Sequence, residues 1–147
     1  MTLLEQTEKT MITDIRERAF IFSPDGNTIL FNKEDYEGVQ KILFSEEERK
    51  LCEGNVLTHS HPNTEFAFRT FTNFDINTFF SCKLREIRLV RGPIVLSLIH
   101  KGSCNHYPIL PELNKFMEKK GVSESSMDEF LRSFPCLSLT SQSIEKK

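Results

Sequence analysis

The chain has 147 residues, enough for one domain with a full hydrophobic core, and its 38% hydrophobic and 27% charged residues suit a folded protein rather than a disordered one. A net charge of -2 gives no electrostatic reason to bind nucleic acid or an anionic membrane. No apolar run approaches the ~18 residues of a membrane span, and the polar opening stretch lacks the basic-then-apolar order of a secretion signal, so a cytoplasmic protein is expected.

Residues 1–13 carry a weak pattern, that of a short helix or a loose arm. Residues 15–22 alternate as a strand, with Glu17, Ala19 and Ile21 on one face and Arg18, Phe20 and Phe22 on the other. Ser23-Pro24-Asp25-Gly26-Asn27 is a turn, because proline fixes φ and Asp-Gly tolerates the left-handed region. Residues 28–31 return as the second strand of a hairpin. Residues 32–43 are polar and of no decided type. Ser45 and Glu48 have the spacing of a capping box, so a helix is expected to run to about Cys52 and stop near Gly54.

Residues 55–61 read as a short strand ended by Pro62, which cannot continue a ladder. A loop follows, and Thr72 caps a helix over residues 73–84. Residues 86–91 and 94–100 alternate about Gly92-Pro93 as a hairpin. Residues 111–120 and 123–133 are two helices parted by Gly121, and the polar residues 138–147 are expected to fray. This order predicts one α/β (α+β) domain over residues 1–137, a mixed sheet flanked by helices, with its core over 15–100 and its C-terminal helices over 111–134.

Two further features are bounded by simple arguments. Lys83, Arg85, Arg88 and Arg91 gather around one strand, but alternate positions face opposite sides, so a solvated edge is expected rather than a binding patch. Cys52, Cys82, Cys104 and Cys136 are scattered without a C-x-x-C pair, which predicts free thiols in a reducing compartment.

The chemistry concentrates in His59-Ser60-His61-Pro62 and Thr72-Asn73-Phe74-Asp75. Imidazoles at i and i+2 of a strand point the same way, so His59 and His61 can reach one ion from a stiff platform. Asp75, at a helix start beyond the loop, can complete the set from the other side. Three protein ligands with one position left open is the pattern of catalytic rather than structural zinc. Such an ion lowers the pKa of its water to about 7 and polarises a carbonyl. Glu17, charged on an otherwise apolar strand face, is the candidate general base, with Asp14, Glu34 and Glu37 as rivals.

His-x-His-Pro followed by a hydroxyl-x-x-Asp, a helix and the strand Arg85-Glu86-Ile87-Arg88-Leu89-Val90 resembles the JAB/MPN (JAMM) zinc metalloprotease superfamily. The likeness extends over residues 15–98 and is nearest to the bacterial and phage branch that includes RadC-like and head-morphogenesis-associated domains. It implies the cytidine-deaminase-like architecture of that superfamily. It implies His59, His61 and Asp75 as ligands of Zn2+, Glu17 as the base, and Thr72, standing where the family has serine, as the oxyanion-holding hydroxyl. The implied activity is hydrolysis of a peptide or isopeptide bond in a protein substrate, for instance a ubiquitin-like tail. The alternative is a noncatalytic module of the same fold that binds or assembles proteins in a phage or toxin system.

Other chemistries fit less well. A metallo-β-lactamase would have Asp-His where Asn63-Thr64 stand, and a zinc deaminase needs a Cys-x-x-Cys. His100 and His106 lack ligand spacing, and Cys104 sits in a loop-like Gly102-Ser103-Cys104-Asn105. Phe66, Phe68, Phe71 and Phe74 crowd the approach to Asp75 and are either a lip that grips an extended substrate or core rings beneath the helix. A chain with 13 phenylalanines and no tryptophan must use phenylalanine in its core in any case.

Overall fold

The computed structural model describes residues 1–34, 44–61, 70–101, 109–120 and 124–144. Eleven elements follow in order: α1 (Leu3–Thr10), β1 (Arg18–Phe22), β2 (Ile29–Glu34), α2 (Glu46–Cys52), β3 (Val56–Ser60), α3 (Asn73–Ser81), β4 (Glu86–Arg91), β5 (Ile94–His100), α4 (Ile109–Lys120), α5 (Glu124–Arg132) and β6 (Leu137–Ser143). The strands form one sheet in the order β2-β1-β3-β4-β5-β6. β3 and β4 run parallel, joined through α3, while the other neighbours pair antiparallel. The expected mixed sheet with helices is therefore present. No helix among the described residues is long and apolar enough to cross a membrane.

Strand alternation divides the core between the two faces of the sheet. On one face Ala19, Ile21, Leu57, Ile87, Leu89 and Leu98 pack with Ile76 and Phe79 of α3 and with Leu113, Met127 and Leu131 of α4 and α5. On the other, Phe22 and Val56 meet Leu4, and Val90 and Val95 meet Met11. The β1–β2 turn fixes where α1 docks. Gly26 takes φ +76, which an L side chain rarely adopts, and a Cβ added there would lie 3.2 Å from Cβ of Leu4. Its carbonyl accepts the Leu4 amide at 2.8 Å.

Several expectations are corrected. The first segment takes the helical one of its two expected forms, but Glu8 within it is fully buried against the sheet. Arg88 is not solvated. Its guanidinium forms two bonds to the Glu8 carboxylate (2.7 and 2.8 Å) and one to Glu86 (2.7 Å), while Thr58 donates to Glu8 at 2.7 Å. Residues 138–143, within the stretch expected to fray, form with Leu137 the edge strand β6 along the whole of β5, with Leu137 and Leu139 buried. The domain therefore runs past residue 137. α3 stops at Ser81 rather than 84, because Lys83 leaves it through a left-handed φ of 54. Cys52 and Cys82 are free and buried, but Cys136 is disulfide-bonded, so free thiols throughout are not found.

Candidate metal centre

Glu17, His59, His61 and Asp75 come together, each offering one ligand atom, with all four atoms within 4.8 Å of one another. None is more than 7% exposed. The strand expected over residues 15–22 begins three residues later, at Arg18, so Glu17 stands just before it. The face rule still holds, since Glu17, Ala19 and Ile21 are all buried. Ala19 pairs with His59 across β1 and β3, which brings Glu17 to the edge of the imidazoles. His61 lies one residue beyond β3, held by its amide donating to the Val90 carbonyl at 3.3 Å.

Asp75 is aimed by its own helix end. Thr72 is the N-cap of α3: its hydroxyl accepts the Asp75 amide at 3.1 Å, and Asp75 Oδ2 accepts the Thr72 amide at 2.9 Å. The carboxylate then bridges the histidines, with Oδ1 3.1 Å from Nε2 of His59 and Oδ2 3.2 Å from Nε2 of His61. The His59–Asp75 approach is close in distance, yet among the described residues neither ring nitrogen of His59 makes a geometrically sound hydrogen bond. Ligand atoms around a tetrahedral zinc at 2.0–2.2 Å stand about 3.3 Å apart, close to these separations. Two imidazoles and two carboxylates are a donor set that zinc accepts, so the residues fit the ion.

The electrostatics agree. Burial opposes a charge on His59, but the carboxylates of Asp75 and Glu17 outweigh it and hold its pKa above the ordinary imidazole value. Burial likewise pushes Asp75 up, but His59 and His61 overcome this and hold the carboxyl far below the usual range. A bound divalent cation would take the place of that proton.

Beside the ligand atoms lies a cavity of about 10 Å³ walled by Glu17, His59, Asp75 and Thr78 on its polar side and by Ala19, Leu57, Phe44 and Phe74 elsewhere. That is close to the room one water molecule needs. A larger cavity of about 420 Å³ opens at the far end of α3, between Gly54, Phe79, Phe80, Lys83 and His100. No clustered ligand set among the described residues accompanies it.

The other candidates are distributed as follows. Asp14 accepts from Arg18 (2.8 Å) and Ser60 (3.0 Å), and Glu34 is exposed on β2, so neither rivals Glu17. Phe71 is fully buried, its ring 6.3 Å from that of His59, and therefore belongs to the core rather than to a substrate lip. His100 packs against Phe79 and Phe80. Pro62, Phe66, Phe68, Glu37, Cys104 and His106 lie outside the described residues. Thr78 escaped the sequence pattern, although its place one helical turn beyond Asp75 is the signal that could have found it. No protein-family model, curated protein or solved structure matches this chain.

Proposed function

We propose that the protein is a zinc-dependent hydrolase of peptide or isopeptide bonds, with His59, His61 and Asp75 as ligands and Glu17 as the base. The observation that carries this is the convergence of four buried ligand atoms within 4.8 Å, among them a histidine whose ring nitrogens have no hydrogen-bond partner among the described residues. When bound, the ion supplies a Lewis acid that polarises a carbonyl and acidifies water. Glu17 then takes the proton of the attacking water and passes it to the leaving amine. The Thr72 hydroxyl accepts the Asp75 amide through its oxygen and keeps its hydrogen for a developing oxyanion. The likeness of His59-Ser60-His61-Pro62 and Thr72-x-x-Asp75 to the JAMM pattern supports the reaction class. The substrate would be an extended protein tail, ubiquitin-like or bacterial, added along a sheet edge.

A second reading is a protein-binding module whose zinc only holds the fold. It is favoured by the nearness of Glu17, which is close enough to serve as a fourth ligand and close the site. Glu17→Gln separates the two. In the hydrolase it keeps zinc, measured by elemental analysis, and abolishes chelator-sensitive cleavage of ubiquitin-type C-terminal fusions. In the module it loses zinc, and the wild type cleaves nothing.

A further inference from the structure

We propose that Thr78 is a catalytic residue of this centre: its hydroxyl holds, in the small cavity, the water that Glu17 deprotonates. The inference rests on the hydrolase reading. Thr78 stands at i+3 from Asp75 on α3, so both side chains leave the same face of the helix. It is 7% exposed, and none of the hydrogen bonds among the described residues uses its hydroxyl. Threonine within a helix commonly turns its hydroxyl back onto the carbonyl of the preceding turn, and this one does not. A hydroxyl that no protein group engages and that lines a cavity is available to a molecule held there.

The cavity says which molecule. Its volume of about 10 Å³ suits one water, and its polar walls are Glu17, His59, Asp75 and Thr78. His59 and Asp75 belong to the ligand set, and Glu17 is there to accept a proton. Among the described residues Thr78 is the one hydroxyl lining the cavity, and it alone of these walls is left to donate to the water oxygen. As an O–H bond of the water breaks, its proton goes to the Glu17 carboxylate and the electron pair stays on oxygen for attack on the carbonyl carbon. The Thr78 hydrogen bond strengthens as that negative charge grows. Thr72 is not among the residues that line the cavity.

Crystal structures of the zinc-loaded wild type, Thr78→Val and Thr78→Ser test this, with zinc content measured in each. The expected result is an ordered water within hydrogen-bond distance of both Thr78 Oγ1 and the Glu17 carboxylate. It should be kept in Thr78→Ser and lost in Thr78→Val, with zinc content equal in all three. A cavity water lying more than roughly 3.5 Å from Thr78, or one that persists in Thr78→Val, overturns the inference and leaves the hydrolase standing. A wild type that retains no zinc overturns both together. Should Thr78→Val fail to fold, the wild-type and Thr78→Ser structures decide by the same distances.

Discussion

Thr72 and Asp75 cap each other at the start of α3, each side chain accepting the other's backbone amide, at 3.1 Å and 2.9 Å. One pair of residues therefore begins the helix and aims a carboxylate into the candidate metal cluster. Thr72→Ala should destabilise the fold by about 1 kcal/mol through the lost cap. It should also weaken zinc binding by roughly 10-fold or more, because the carboxylate loses the support that orients it. Thr72→Ser should do neither. Thermal melts and zinc titration of the two variants check both effects, and equal zinc affinity in Thr72→Ala would show that the cap has no part in aiming Asp75.

Glu8 and Arg88 form a buried pair that fastens α1 across the sheet. Removing Glu8 takes two of the three bonds from the buried guanidinium and leaves it only Glu86, so Glu8→Ala should cost about 3 kcal/mol in urea unfolding. A double replacement of Glu8 and Arg88 by methionine should recover much of that loss. An unfolding midpoint for Glu8→Ala close to wild type would mean that the pair contributes little to holding α1.

These residues also show what the sequence could and could not reveal. His59 and His61 were legible because a period of two fixes the direction of both side chains without any knowledge of the fold. Glu17 was legible for the same reason, although its strand starts one residue later, since a carboxylate on an apolar face stands out. Arg88 looked solvated because its partner Glu8 is 80 positions away, and a pairing at that distance leaves no local trace. The weak pattern of α1 has the same origin: a buried glutamate interrupts the apolar face that would have identified the helix. Thr78 was silent because a hydroxyl within a helix usually bonds to its own backbone.

β6 was missed because only Leu137 and Leu139 mark its inner face, and the residues after them are polar. Its pairing with β5 predicts an alternating response to substitution. Leu139→Ala should destabilise by about 2–4 kcal/mol, as expected for a buried leucine. Thr140→Ala, on the exposed side, should stay within roughly 0.5 kcal/mol of wild type. Denaturant titration of the two variants reads the difference, and equal small effects would mean that the strand is not docked in solution.

His59 and Asp75 give the protein opposite pH responses with and without metal. In the metal-free state the raised pKa of His59 adds stability that is fully present below the unfolded value of about 6.5 and is lost as pH rises through the higher folded value. The depressed Asp75 adds stability above its unfolded value of about 3.9, lost only as pH falls through its much lower folded one. On account of this pair, the metal-free protein should melt at falling temperature as pH rises above about 6.5. Zinc needs both imidazoles neutral, so its binding releases the His59 proton and tightens over the same interval. The gap in melting temperature between zinc-loaded and metal-free protein should therefore widen from pH 6 to pH 8 at fixed free zinc. Calorimetric scans at several pH values measure it, and a gap that narrows over that interval would remove His59 from the ligand set.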